Sequence, residues 1–465
     1  MIFDFKIGSN SIDSRLFCSF YLLWWITLPI GSELLSFDFG PFVLYPNLFF
    51  TLVICFFGIG DVWKWSKLSL IATIFLVLWL IQGSIQLVNL PIKSSLAIFD
   101  FRSLIVQLLS AIVLFTSFYK LGREKFIEIT VLGVRYFVLI LLISGIFEAM
   151  TGIHLSGHST AKLKELHVSS VHFAPMYFFD NPNDFVANLL FYIVLLILFD
   201  NKWSKNIFLM IALLIITYYF SDLADSRFGK IAAVILLTYY LLLVLKDASK
   251  HILYLVGASL IVTMSVFIAN PLYLGSKYDK ETNYRTNGLV SVDKQLDGSF
   301  TITEVKDRFT INERNTINDL LDSLENNKSG KSGSIRKSII LNGIEFIKEK
   351  PILGVGPGQF YQRHIDGKVQ HDSGTVTSAH CMPIEAIATY GLVGWVYFIF
   401  LVIILFKLFK RRSSTEEFAK QMLVGLIICI LWLMPSNFIY LEIHRLLLPL
   451  LVILVSLKVK SEHVS

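Results

Sequence analysis

The chain is dominated by apolar runs of about 17–25 residues, the length that crosses a bilayer as an α-helix. They lie near 16–31, 41–60, 68–88, 103–119, 129–150, 185–199, 206–221, 229–245, 251–269, 384–406, 419–436 and 439–457. A transmembrane β-barrel would alternate apolar with polar residues. These runs do not alternate, so the expected fold is an all-α polytopic membrane protein of about twelve transmembrane helices. Composition agrees: 54% of the 465 residues are hydrophobic and 16% charged, against about 45–50% and about 25% in soluble chains. A soluble globular enzyme and a disordered chain are both excluded. The first run follows Lys6 and Arg15 as a signal peptide's would, but with so many spans behind it, it reads as a retained anchor.

Lysine and arginine in the short loops set the orientation. Alternate loops carry Lys64 and Lys67; Lys120, Arg123 and Lys125; Lys202 and Lys205; Lys246 and Lys250; and Lys407, Lys410, Arg411 and Arg412. Lys6, Arg15, Lys458 and Lys460 in the tails fall on the same side, while the opposite loops hold only Lys93, Arg102, Lys162, Lys164 and Arg227. The basic side, with both termini, is expected to be cytoplasmic. The net charge of +6 is then a matter of membrane sidedness, and no nucleic acid is expected as a partner. Three parts follow: a transmembrane bundle over 1–269, a large extracytoplasmic loop over 270–383, and a second bundle with a cytoplasmic tail over 384–465.

Within the loop, Asp279, Asn283, Asp293 and Asp297 mark turns. Phe300-Thr-Ile-Thr-Glu-Val and Arg308-Phe-Thr-Ile-Asn alternate and are expected to pair as short strands. A helix is expected from Ser334, with Ile335, Ile339, Gly343 and Phe346 at helical spacing and Pro351 as its stop. A loop this long commonly forms a lid or binding element; a mobile insertion is the alternative.

Ionisable residues at the ends of spans are costly and often functional. Glu148, Asp184, Arg227, His380, Glu385, His444 and Arg445 gather at the outer surface in this orientation. Taken singly, each is as readily a structural or snorkelling residue. Arg135 lies nearer the cytoplasmic side and is expected to be paired structurally. Arginine forks onto phosphate and histidine takes a proton near neutral pH, so the set suits transfer from a phosphate-linked lipid donor to a hydroxyl. Gly354-Val-Gly-Pro-Gly358, centred on Gly356, would add amides toward a phosphate; a tight turn is the alternative. The string follows a helix rather than a strand, so it is no dinucleotide fingerprint. No Cys/His spacing resembles a metal site. His154, His158, His167 and His172 are irregularly spaced, and His364 and His371 are expected to be solvated. Cys18, Cys55 and Cys429 fall in spans, which leaves Cys381 without a partner for a disulfide framework.

Four strings occur in order: Phe179-Asp-Asn-Pro-Asn-Asp-Phe, Asp225-Ser-Arg-Phe-Gly, Lys350-Pro-Ile-Leu-Gly-Val-Gly-Pro-Gly-Gln-Phe, and Ala379-His380 followed by Tyr390-Gly-Leu-Val-Gly394. Together, over residues 175–400, they resemble the O-antigen ligase and Wzy-type polysaccharide polymerase superfamily. The resemblance implies a GT-C-like membrane glycosyltransferase of the bacterial cytoplasmic membrane. Its donor would be a glycan on undecaprenyl diphosphate, with no metal, nucleotide sugar or other cofactor. Arg227 matches the Ser-Arg position expected to hold the donor diphosphate, helped by Arg336 and Arg445. His380 matches the expected base on the acceptor hydroxyl. Glu385 is expected to orient it or to favour the helix N-terminus. The family frequently has Asn after that histidine; Cys381 stands here, and nothing nearby argues for a lowered thiol pKa. Asn181 and Asn183 read as a helix start, with Asn183 or Asp184 as cap.

Polymerase is the preferred activity, building O-antigen, capsule or teichuronic-type chains from lipid-linked repeat units beside a flippase and a chain-length regulator. A ligase would instead move finished glycan to a terminal acceptor. A transporter would show inverted repeats and midplane charges. A metal-dependent enzyme would need a compact acidic motif, which Glu33 and Asp38 do not form.

Overall fold

Helices account for most of the residues described in the computed structural model, which are 12–28, 37–39, 42–44, 46–90, 95–151, 175, 182–224, 226–246, 285–286, 290–294, 300–304, 331–371, 381–410, 425, 428 and 442–461. In order come α1 (Ile12–Thr27), the hairpin β1 (Phe37–Phe39) and β2 (Phe42–Leu44), α2 (Pro46–Gly58), a 3-10 turn (Ile59–Lys64), α3 (Lys67–Asn89), α4 (Ser95–Leu121), α5 (Arg123–Thr151) and α6 (Pro182–Phe199). A single turn (Asn201–Ser204) leads to α7 (Ile207–Leu223) and α8 (Arg227–Lys246). Then follow β3 (Arg285–Thr286), β4 (Val290–Lys294), β5 (Phe300–Glu304), α9 (Lys331–Glu349), α10 (Gln359–Ile365), α11 (Met382–Tyr390), α12 (Leu392–Lys410) and α13 (Glu442–Ser461).

Among the described residues, four helices are long and apolar enough to cross a membrane: Lys67–Asn89, Leu96–Leu121, Arg123–Thr151 and Pro182–Phe199. Pro46–Gly58, Ile207–Leu223, Phe228–Leu241, Leu392–Lys407 and Arg445–Ser456 are shorter apolar helices. The chain is a multi-pass helical membrane protein. The expected span at 251–269, and that at 419–436 apart from residues 425 and 428, lie outside the described residues.

Lipid tails are as apolar as leucine, so close packing and buried polar bonds must join such helices. In α1, Tyr21, Trp24 and Trp25 are fully buried. Tyr21 Oη lies 2.9 Å from Thr130 Oγ1, and Trp24 Nε1 donates to Thr51 Oγ1 at 2.9 Å. The run 185–199 becomes the centre of the bundle: from Phe185 to Ile197 α6 is buried on every side, as a helix apolar all round must be. Gly145 of α5 lies against Phe185 near the start of α6, and Phe137 meets Tyr192 further along, so these helices are antiparallel. Arg135 is paired as expected, forking onto Asp200 at 2.6 and 2.7 Å. Asp200 also caps the turn that follows, accepting from Lys202 N and Trp203 N. With the short α3–α4, α4–α5 and α7–α8 connections, the ends of α3, α5 and α7 and the starts of α4, α6 and α8 share one end of the bundle.

Several expected boundaries move. The run 384–406 is two helices, because Gly391 takes φ +56° and ends α11 before α12 begins. The span expected at 103–119 begins at Ser95, which brings Asp100 and Arg102 inside α4. The strand Phe300–Glu304 forms but pairs upstream, antiparallel to Val290–Lys294 with Val292 opposite Ile302; the expected partner at 308–312 lies outside the described residues. The loop helix starts at Lys331 rather than Ser334, and α6 begins at Pro182, which places Asn183 and Asp184 in its first turn rather than at its cap.

Candidate active site

The segment between α9 and α11 is locked backbone to backbone onto the bundle. Pro351 stops α9 because its ring cannot continue the ladder. Gly354 N then donates back to Lys350 O at 2.8 Å, Val355 N to Ala388 O at 2.8 Å, Gly356 N to Thr389 O at 3.0 Å, and Leu392 N to Ile352 O at 2.9 Å. From α3, Gln82 Nε2 donates to Tyr390 O at 2.9 Å and Leu353 O at 3.2 Å, and Gln86 Nε2 donates to Leu353 O. Gly354 has φ +76°, and a Cβ there would stand 2.3 Å from Thr389 O, so only glycine fits this approach. The amides of Gly354, Val355, Gly356 and Gly358 thus all meet protein acceptors, and Pro357 has none. Gly356 sits in a tight turn whose amides serve the fold.

Helix α10 joins this turn to its surroundings. Tyr361 Oη donates to Glu385 Oε2 at 2.8 Å, and Glu385, on α11, is 2% exposed. His364 corrects the expectation of a solvated side chain. His364 is buried, with Nδ1 2.7 Å from Phe360 O and Nε2 3.2 Å from Asn342 Nδ2. A carbonyl only accepts, so Nδ1 carries the proton and Nε2 accepts from Asn342. Asn342 also holds His371 through its backbone, donating to His371 O at 2.8 Å and accepting from His371 N at 2.9 Å. Burial pushes the His364 pKa below its ordinary value, against a smaller raising effect of the Phe360 hydrogen bond. Arg363 forks onto Glu349 at 2.5 and 3.0 Å and lies over the Phe346 ring. That bond holds the Glu349 carboxyl below the usual range.

Arg227 is the first residue of α8, behind Ser226, whose Oγ accepts from Gly229 N at 3.3 Å as an N-cap. One turn on, Lys230 pairs with Asp222 of α7 at 2.9 Å. Arg336 lies in the second turn of α9. The side chains of Arg227 and Arg336, and all of His380, lie outside the described residues. Arg445, near the start of α13, is half-buried. Gly356 and Glu385 come together, one bonded to α11 and the other carried on it. Cys381 precedes α11 as its N-cap residue, and burial pushes its thiol pKa up, which argues against a nucleophile.

Sequence reasoning missed Asp100, fully buried in α4, whose Oδ2 accepts from Gly358 N at 2.5 Å. It also missed Gln82, Gln86 and Tyr361. The signal for Asp100 was present: a carboxyl within reach of an apolar run is a costly residue that needs a reason.

Residues 210–399 match the family model described as O-antigen ligase. The match runs from α7 into α12 and takes in Arg227, Arg336, Gly356, His380 and Glu385; Arg445 lies beyond it. That match is consistent with the superfamily that the four strings resemble, although the first string lies upstream of it. No curated protein matches the chain.

Proposed function

We propose that this protein is a metal-independent membrane glycosyltransferase that polymerises undecaprenyl-diphosphate-linked repeat units into a surface polysaccharide. The reading rests on one observation: the O-antigen ligase match at 210–399 contains both the Ser226–Arg227 start of α8 and the junction at which His380 leads into α11. Arg227, helped by Arg336 and Arg445, neutralises the diphosphate as charge builds on it. His380 takes the acceptor hydroxyl proton. The oxygen bonds to the anomeric carbon as the bond to the diphosphate breaks, and the electron pair leaves with the phosphate, inverting the sugar carbon. Glu385 orients His380, and Gly356 shapes the turn that packs against α11. In this reading twelve spans place both termini in the cytoplasm and the 270–383 loop outside the inner membrane, where a flippase and a chain-length regulator supply and measure the product.

Ligation of finished glycan to a terminal acceptor is the second reading, favoured by the description of the matching family. A deletion strain complemented with wild type, Arg227→Ala or His380→Ala at matched expression separates the possibilities by polysaccharide length and by the lipid-linked intermediates. Single repeat units on their acceptor, with long chains restored only by wild type, indicate a polymerase using those residues. Full-length polymer stranded on the carrier indicates a ligase. Normal polymer in either variant removes that residue from the mechanism and reopens the transporter reading.

A further inference from the structure

We infer that Asp100 is a positioning residue for this site, a buried carboxyl in the bundle that fixes α10 and, through it, the chain segments carrying Arg336 and His380. The inference rests on the transferase reading for what is positioned, and on geometry alone for the fastening. Asp100 is fully buried in the second turn of α4. Its Oδ2 accepts from Gly358 N at 2.5 Å, and Gly358 is the N-cap residue of α10. The backbone there rests on the first turn of α4: a Cβ on Gly358, at φ +69°, would stand 2.4 Å from Ala97 N. The second oxygen, Oδ1, meets no hydrogen-bond donor among the described residues.

Three helices therefore grip α10, each through one polar side chain. Asp100 of α4 takes its leading amide, Glu385 of α11 takes Tyr361, and Asn342 of α9 takes His364. Of the three grips, Asp100 alone belongs to the long membrane-crossing helices; α9 and α11 are the elements to be positioned. Arg336 lies on α9, and His380 is two positions before Met382, the first residue of α11. Releasing the Asp100 grip loosens α10 from α4, while Gln82 and Gln86 of α3 still hold Tyr390 O and Leu353 O; what is lost is the anchoring of α10 between α9 and α11 at the bundle end where α8 begins with Arg227.

The test compares Asp100→Ala with Asp100→Asn in purified, nanodisc-embedded protein. Asparagine keeps an oxygen that accepts from Gly358 N, and its amide nitrogen replaces the oxygen that lacks a donor. Asp100→Ala is expected to lower turnover by about tenfold, the scale of one lost hydrogen bond, with the KM for lipid-linked donor changed by less than about twofold. Asp100→Asn is expected to restore most of the turnover. Hydrogen exchange over residues 352–366 is expected to quicken in Asp100→Ala and return to wild type in Asp100→Asn. Wild-type turnover in Asp100→Ala overturns the inference, as does an Asp100→Asn variant no better than alanine. Activity lost only in proportion to folded protein also overturns it. If wild-type protein transfers no glycan at all, the transferase reading falls and exchange decides the fastening: unchanged exchange in Asp100→Ala overturns it too.

Discussion

Asn342 and His364, on the helices α9 and α10, share a 3.2 Å hydrogen bond in which the imidazole accepts. A protonated ring has no lone pair to offer, so acid removes this bond. Burial holds the His364 pKa below its ordinary value, which is about 6.5. The unfolded chain then binds a proton where the folded one does not, so the contribution of His364 to stability is full above about pH 6.5 and is lost as pH falls through the folded value. Exchange over residues 339–371, corrected for intrinsic rate, should accelerate between pH 7.5 and 5.5 in wild type. In His364→Gln the same comparison should show little pH dependence. A wild-type profile as flat as the variant's would contradict this account.

Gly354 and Gly122 both take φ +76°, but a Cβ on Gly122 would meet nothing within 4 Å. Their alanine variants therefore share a backbone penalty of about 1–2 kcal/mol and differ by the clash with Thr389 O. Gly122→Ala should lower the melting temperature by a few degrees. Gly354→Ala should give little folded protein or a much larger fall, and should lose the proposed glycan transfer with it. Equal melting temperatures would mean that the turn relaxes freely.

Arg135 and Asp200 form a pair in which Asp200 is 3% exposed. Arg135→Met leaves that carboxylate buried without its guanidinium, at a cost of about 3–5 kcal/mol. Adding Asp200→Asn removes the stranded charge while keeping an oxygen for Lys202 N and Trp203 N. Thermal unfolding of the double variant is expected to recover most of the loss, and a double variant as unstable as the single would show that packing rather than charge carries the effect.

Cys381 occupies the N-cap position of α11 with no side-chain cap bond. Asparagine is among the best N-cap residues, worth about 1 kcal/mol. Cys381→Asn is expected to raise the melting temperature slightly and to leave the proposed transfer intact, because the half-buried thiol, its pKa raised, has no part in that scheme. Loss of transfer in both Cys381→Asn and Cys381→Ser would restore the thiol as a candidate.

Apolar length alone made the long helices legible: the run 129–150 sits inside α5 and 68–88 inside α3. Gly391 was illegible as a break because, within an apolar run, a glycine at positive φ looks like any other glycine. His364 lies among Gln362, Arg363 and Asp366, and local polarity suggested water. Its burial comes from Phe346 and Asn342 on another helix, which spacing does not reveal. Asp100 escaped for the same reason, since its partner is 258 residues away. Arg227 was legible as a residue opening a helix, and α8 begins with it; Arg336, expected near a helix start at Ser334, lies in the second turn of α9. Their mutual geometry is a tertiary property that no spacing along the chain encodes.

Helix α6 is the most enclosed of the four long apolar helices among the described residues: 78% of its span is buried, against 28% for α3. At about 1.5 Å per residue its 18 residues reach about 27 Å and the 29 of α5 about 44 Å. Protein neighbours, not acyl chains, absorb that difference in length. A thicker or thinner bilayer presses on the outward rows of α3 and α12, such as Ile74, Ile85, Ile399 and Val402, and the central helix is shielded from it. The depth of Asp184 at the head of α6 is therefore set by the protein, and a change in membrane lipid composition reaches that end of the bundle only through the outer ring.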